Sequence, residues 1–279
     1  MLTKKYLYLY VLMFAFMHTT RSEHIYYKKQ PLWDSSLDFN EIEKQLKTQP
    51  IISLKKMSTY LKKHKKLIKF HNKVYVAVLA NGLKAVFKPD NARKNYSYGE
   101  IAAYRTSLWL GQRLVPPVVL REHQGQRGSL QFFVESPFDL VNPKSEKKAF
   151  SMLSRKVLSD AQIFCFIFKH KGSHSGNQLI ALGKDGKAYL ALIDNASIMT
   201  QHYRDLPLLQ QTRKIMEGYP LVYSRATLKR YKKLSLEVLH WIFKDALRDK
   251  VSPCTPAFFD AILKRKDQML AVHHKKLIP

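Results

Sequence analysis

The feature that most constrains the fold is a predicted β-hairpin at residues 74–88, VYVAVLANGLKAVFK. Residues that favour strands flank the pair Asn81-Gly82, and this arrangement is the strongest short-range signal for a tight hairpin turn. We therefore expect strands at residues 74–78 and 83–88. Pro89 ends the second strand, because proline has no N–H to donate to a neighbouring strand.

The residues around this hairpin predict a small lobe that mixes strands and helices. Before it, Asp38 can cap a short helix whose apolar face is formed by Phe39, Ile42 and Leu46. After it, a helix is expected from Ser97 to about Gln112, with an inward face of Ile101, Tyr104, Leu108 and Trp109. Residues 115–118 are interpreted as a connector and residues 129–135 as another strand.

The remaining sequence is mostly helical. One helix is expected from about residue 145 to residue 169, and a second hairpin at residues 177–193 is turned by Asp185-Gly186. Ser235 can cap a helix that continues to Ala246, and Thr255-Pro256 opens the last helix. The fold class is therefore α+β, with a small β-rich lobe at residues 70–140 and a mostly helical lobe at residues 141–279.

The first residues predict a secretory signal peptide at residues 1–22. Lys4 and Lys5 precede the apolar run Tyr6–Met17, which is shorter than the roughly 20 residues of a membrane span. A buried helix of the mature fold is the alternative for this run. We expect a secreted protein, located in a periplasm, a secretory lumen or outside the cell, with no transmembrane span in the mature chain.

The second segment, residues 23–69, is basic, and the whole chain carries a formal net charge of +27. Such a charge attracts anionic partners such as nucleic acid, lipid headgroups or acidic proteins. For the Lys-rich residues 55–73, a solvated basic face over a few apolar anchors is favoured over a phosphate or membrane-surface contact. The two cysteines, Cys165 and Cys254, leave open whether they pair, and no His/Cys cluster has zinc spacing.

Four polar residues lie where a nucleotide-binding site could form. Lys88 ends a predicted strand and could reach phosphates, and Glu100 in the next helix could hold that lysine. Asn177 and Asp194 flank the second hairpin, and their oxygens suit Mg²⁺. Alternatives remain open, because Ser97-x-x-Glu100 also fits a helix capping box and Asp194 could be a turn residue.

The order of these motifs resembles an atypical kinase group. The resemblance covers roughly residues 70–272, and it rests on six stretches: Gly82–Pro89 (GLKAVFKP), Tyr98–Arg105 (YGEIAAYR), Val115–Val119 (VPPVV), Gly128–Gln131 (GSLQ), His174–Leu179 (HSGNQL) and Leu192–Asp194 (LID). The group comprises the secretory-pathway (Golgi) kinases of the four-jointed type, actin-fragmin kinase and, more distantly, the phosphatidylinositol 3-/4-kinases.

The resemblance implies a two-lobed protein-kinase-like fold that binds ATP or another nucleotide with Mg²⁺ or Mn²⁺. It implies that Lys88 contacts phosphates, that Glu100 supports Lys88, and that Asn177 and Asp194 hold the metal. The family's catalytic Asp has no match, since Gly172 stands at that position. The glycine-containing turn that covers the nucleotide is also missing, because residues 60–81 contain no glycine.

Three functions follow as hypotheses. The first is a pseudokinase or very weak phosphotransferase that still binds nucleotide and metal. The second is an active kinase for a protein or lipid acceptor, in which His174 serves as the base because imidazole titrates near neutral pH. The third is a non-catalytic basic module that binds an anionic partner.

Overall fold

The computed structural model describes residues 30–63, 73–91, 96–138, 143–168, 177–199, 223–273 and 277–278. The predicted signal peptide, Gly172 and His174 lie outside these residues. The N-terminal lobe contains, in chain order, α1 (Phe39–Thr48), β1 (Ile51–Lys56), α2 (Met57–Lys63), β2 (Tyr75–Leu79), β3 (Lys84–Pro89), α3 (Tyr96–Trp109), β4 (Val118–His123) and β5 (Gln126–Phe132).

The N-terminal lobe is built on an antiparallel five-stranded sheet with the order β1-β2-β3-β5-β4. The predicted hairpin is confirmed as β2 and β3, and Gly82 adopts a φ of 85° at its turn. Helix α1 also begins as predicted, because the Asp38 carboxylate accepts hydrogen bonds from the N–H groups of Asn40 and Glu41. Its apolar face is buried in the core.

Two strands were missed by the sequence analysis. β4 begins at Val118, inside the predicted connector, and pairs with β5. β1 lies in the basic segment 23–69 and pairs with β2 at the edge of the sheet. The segment boundaries at residues 69 and 140 stay predictions.

The predicted inward face of helix α3 was partly wrong. Ile101 and Tyr104 are buried, but Leu108 is 37% exposed. The helix is buried on several sides at once, including polar positions such as Ser97 and Glu100, so an apolar stripe with helical spacing does not mark its contacts.

The C-terminal lobe is mostly helical. Its elements are α4 (Pro143–Ser151), α5 (Arg155–Ile167), β6 (Gln178–Leu182), β7 (Ala188–Leu192), a 3-10 helix (Asn195–Met199), β8 (Tyr223–Ser224), α6 (Arg225–Lys232), α7 (Leu236–Ile242), α8 (Lys244–Arg248), α9 (Pro256–His273) and β9 (Leu277–Ile278). The second predicted hairpin is confirmed as β6 and β7, with Gly186 at a φ of 72°. Together the two lobes confirm the predicted α+β class.

Two predicted helices are each divided in the structure. The expected helix over residues 145–169 is interrupted between α4 and α5, where Ser154 caps α5 by accepting a hydrogen bond from the Val157 N–H. The helix capped by Ser235 ends at Ile242, and α8 follows directly. Local apolar spacing continued through both interruptions, so it did not reveal them.

Residues 30–37, here called the bridging segment, contact both lobes. Gln30 hydrogen-bonds the backbone of Lys84 and Phe133 in the N-terminal lobe. The Trp33 indole N–H donates to the Leu190 carbonyl in the C-terminal lobe at 3.1 Å, and the Asp34 carboxylate accepts from the Lys184 N–H at 3.2 Å. The segment therefore joins the sheet to the β6–β7 hairpin.

Two further findings concern the described residues. Cys165 is buried and Cys254 partly buried, and both thiols are free. Among the helices that the structure describes, none is both long enough and apolar enough to cross a membrane.

Candidate nucleotide and metal site

Lys88 lies at the centre of the candidate site and contacts two carboxylates. Its Nζ donates to Glu100 Oε1 at 2.7 Å and to Asp194 Oδ1 at 2.9 Å. Burial alone would lower the pKa of Lys88, but the negative charges of Glu100 and Asp194 and their hydrogen bonds outweigh it and raise the pKa above its ordinary value. The amine is therefore a fixed positive charge between the two lobes.

Strand β3 positions Lys88 through close pairing with β5. Lys88 is opposite Ser129, and Pro89 is opposite Gly128. A Cβ on Gly128 would lie 2.3 Å from the Lys88 carbonyl oxygen and 2.7 Å from the Pro89 Cα. Because both are backbone atoms that cannot rotate away, only glycine lets β5 approach the end of β3 so closely.

Glu100 holds Lys88 from helix α3, and its side chain is only 1% exposed. The second oxygen, Oε2, accepts hydrogen bonds from the Asn195 backbone N–H at 3.0 Å and from Asn195 Nδ2 at 3.2 Å. The capping-box interpretation of Ser97-x-x-Glu100 was wrong: the Ser97 N–H and hydroxyl both donate to Asp90 instead.

The β6–β7 hairpin brings Asn177 and Asp194 to one end. Asn177 directly precedes β6, and its carbonyl accepts a hydrogen bond from the Ile193 N–H at 2.9 Å. Asp194 follows Ile193 with a φ of 58°, a conformation that Asp tolerates better than most residues. Its side chain is 50% exposed, so a ligand can approach the carboxylate from solvent.

Helix α3 packs tightly against the segment that follows Asp194. A Cβ on Gly99 would lie 2.6 Å from the Ala196 carbonyl oxygen. This close approach lets Glu100, the next residue, reach Asn195. The structure thus brings together Lys88, Glu100 and Asp194 by direct contact, with Asn177 at the same hairpin end.

Asn195 and the two glycines were missed as site residues by the sequence analysis. Asn195 lay in a stretch that was interpreted only as a possible turn, although its position next to Asp194 was a usable signal. Gly99 and Gly128 occur inside motifs that carried the resemblance. Their function in close backbone contacts depends on the tertiary structure. The proposed replacement of the catalytic Asp by Gly172 and the proposed base His174 stay predictions.

The oxygen atoms of Asp194 and Asn177 suit a hard divalent cation that takes further ligands from a bound small molecule. Asp194 and Asn177 offer a carboxylate and an amide, and Mg²⁺ commonly uses one or two protein carboxylates with phosphate oxygens and water. The described part of the chain contains no group of three or more His, Cys, Asp or Glu residues placed to hold a metal.

Comparisons with solved structures identify the fold. A structure of hydra Fam20 with sugar is 13% identical with a TM-score of 0.55, over 92% of this chain and 98% of that chain. A crystal structure of the Golgi casein kinase with Mn/ADP bound is 12% identical with a TM-score of 0.54, over 84% and 74% of the two chains. No protein-family model and no curated protein sequence matches this chain.

At such low identity these similarities establish the fold. They agree with the resemblance to atypical secretory-pathway kinases that the sequence motifs carry. The chain therefore has the two-lobed, kinase-like fold of the Golgi casein kinase and hydra Fam20.

Proposed function

We propose that this kinase-like protein binds a nucleotide together with a divalent metal ion at the site formed by Lys88, Glu100, Asn177 and Asp194. The observation that carries the proposal is the pair of contacts made by Lys88, which joins carboxylates 12 and 106 positions away in the sequence. A half-buried cation held between two acidic groups from different lobes suits recognition of phosphate beside a metal ion.

Each residue has a distinct part in the proposed site. Lys88 contacts phosphate oxygens, while Glu100 fixes the direction of its amine. Asp194 and Asn177 supply oxygen ligands to Mg²⁺ or Mn²⁺. When bound, the divalent ion neutralises negative charge on the phosphates, and this would allow Asp194 to lie close to them.

The Golgi casein kinase supports the proposal, because its crystal structure contains Mn/ADP. We extend to this chain the ligand class, ATP or another nucleotide with Mg²⁺ or Mn²⁺. The proposed acceptor is a protein or a lipid.

We further propose that phosphotransfer is absent or very weak. Gly172 stands where the atypical kinase group that this chain resembles has its catalytic Asp. Glycine can neither accept a proton nor orient a hydroxyl. Loss of a general base typically costs about 10²–10⁴ in rate. If activity remains, His174 is the proposed base, and His174→Ala would abolish it.

We also propose that the protein is secreted. The proposal is supported by the charged and apolar residues at its beginning. Its positive charge would favour acidic acceptors or binding partners.

The test is thermal unfolding of the purified protein with a non-hydrolysable ATP analogue, in the presence and absence of Mn²⁺. A ligand at 100 times its Kd stabilises a folded protein by about 2.7 kcal/mol, which gives a measurable rise in Tm. We expect a rise that is largest with both ligands and is lost in Lys88→Ala and Asp194→Ala. Lys187→Ala is the matched control, since Lys187 is exposed on the β6–β7 turn.

The absence of any nucleotide-dependent shift in the wild-type protein would contradict the proposed function. The basic surface would then be the place to search for a ligand, by binding to a polyanion at several salt concentrations. A shift that survives in both site variants would place the nucleotide elsewhere.

A further inference from the structure

Asn195 connects two parts of the candidate site that are far apart in sequence. Its backbone N–H and its Nδ2 both donate to Glu100 Oε2, and Nδ2 also donates to the Leu192 carbonyl at 3.1 Å. The residue is completely buried. One amide group therefore fixes helix α3 to the backbone on the other side of Asp194.

These contacts close a ring that includes Asp194. Asp194 contacts Lys88, Lys88 contacts Glu100, Glu100 contacts Asn195, and Asn195 is joined covalently to Asp194. The Asn195–Leu192 hydrogen bond spans the turn that contains Asp194 at its unusual φ of 58°. The Asn195 side chain therefore ties the turn that carries Asp194 to the buried Glu100.

The Asn195 side chain has one unpaired polar atom, so packing alone does not explain why an asparagine occupies this buried position. Asn195 Oδ1 is buried and has no hydrogen-bond partner among the residues that the structure describes. Leaving such a polar atom unpaired costs about 1–3 kcal/mol. A leucine of similar size would avoid that cost, but it could not donate to Glu100 or to Leu192.

We propose that Asn195 is a positioning residue that sets the orientation of Asp194 toward a metal–nucleotide complex. This inference rests on the proposed function. A neutral donor is required at this position, because an acidic side chain would place a second negative charge against the buried Glu100. Asn195 acts through Asp194 and Glu100 and need not touch the ligand.

The test separates metal-dependent from metal-free binding. The affinity for a fluorescent ATP analogue is measured with and without Mn²⁺ in the wild-type protein, Asn195→Leu and Asn195→Ser. Loss of a residue that orients a metal ligand commonly weakens metal affinity about 10–100-fold, and we expect at least about tenfold weaker Mn²⁺-dependent binding in Asn195→Leu. Metal-free binding through Lys88 should weaken much less, because Glu100 contacts Lys88 directly through Oε1 and keeps the hydrogen bond from the backbone N–H of residue 195. Asn195→Ser keeps a shorter donor and should recover part of the loss.

Asn81→Ala is the matched control, since Asn81 Nδ2 donates to Gln45 at the β2–β3 turn, away from the site. Equal weakening with and without Mn²⁺ in both Asn195 variants would show a general structural effect and overturn the inference. Unchanged Mn²⁺-dependent binding would also overturn it. If the wild-type protein shows no Mn²⁺-dependent binding, the proposed function fails, and this inference fails with it. If Asn195→Leu does not fold, the same comparison in Asn195→Ser decides.

Discussion

Lys88 is held in place mainly by Glu100, a carboxylate with almost no exposure to solvent. A buried ion pair can contribute little net stability, but removing one partner leaves the other charge buried without compensation. The Lys88–Glu100 contact should therefore behave as a unit when either residue is replaced.

We predict that Lys88→Met lowers the free energy of unfolding by about 3 kcal/mol, the usual cost of breaking a buried pair. The double variant Lys88→Met/Glu100→Leu should recover part of this loss, because no buried charge remains. Urea denaturation measures both effects, with Lys187→Met as the exposed control. A double variant less stable than the single variant would contradict this prediction.

Asp249 provides a pH-dependent contact between the lobes. Hydrogen bonds from Arg248 and from the Tyr98 hydroxyl lower the pKa of Asp249 to about 2. Because this pKa lies below the ordinary value of about 3.9, the ionised group stabilises the folded protein above about pH 4. That contribution is lost as the pH falls toward 2.

We predict that Asp249→Asn is less stable than the wild-type protein near neutral pH and that the difference shrinks as the pH falls from about 4 toward 2. Urea denaturation across this range gives the comparison. Asp260→Asn, on the exposed side of α9, is the control. A difference between the two proteins that does not change with pH would show that ionisation of Asp249 is unimportant.

At the scale of elements, the contact between α3 and the 3-10 helix depends on Gly99. Alanine at this position would favour a helix by about 1 kcal/mol. However, the Cβ of an alanine at position 99 would lie within 2.8 Å of two backbone atoms of Ala196, the carbonyl oxygen and the Cα. The two elements must therefore separate.

We predict that Gly99→Ala destabilises the protein by about 1–3 kcal/mol, the usual cost of overpacking, despite the better helix propensity. The mutation should also weaken nucleotide binding, because Glu100 and Asn195 move apart. Thermal unfolding and ligand titration check the two effects, and Leu108→Ala on the exposed part of the same helix is the control. A more stable Gly99→Ala protein would refute the close contact.

The elements that the sequence predicted well have signals confined to a few neighbouring residues. Asp38 caps α1 through N–H groups two and three residues away, and Asn81 accepts a hydrogen bond from the Leu83 N–H within the hairpin turn. β1 was missed because its pairing with β2 forms only in the folded sheet. In addition, the strand ends in two charged residues, Lys55 and Lys56, which do not suggest a strand. The link from Asn195 to Glu100 spans 95 positions, so no local pattern could show it.

At the scale of the whole molecule, the bridging segment makes the two lobes dependent on each other. Trp33 stacks on Phe39 with ring centroids 5.3 Å apart, and its indole N–H reaches the β6–β7 hairpin. One aromatic side chain thus packs in the N-terminal lobe and binds the backbone of the C-terminal lobe. The sequence analysis assigned these residues to a basic segment and gave them no such function.

We predict that Trp33→Phe lowers the free energy of unfolding by about 1–3 kcal/mol, because a buried carbonyl loses its donor and the smaller ring leaves space. Unfolding followed by probes in each lobe should still show one transition. Trp241→Phe is the matched control, since Trp241 is 45% exposed. Equal stability of the two variants would mean that the bridging contact is energetically unimportant.

The bridging segment also has a consequence for biosynthesis. Trp33 is translated before its carbonyl partner Leu190, which follows 157 residues later. Chains are made at about 5–20 residues per second, and contacts between distant residues slow folding. For roughly 8–30 s at these rates, the Trp33 indole N–H would lack its native acceptor. A chaperone that protects this tryptophan until the second lobe has been synthesised would increase the yield of folded protein.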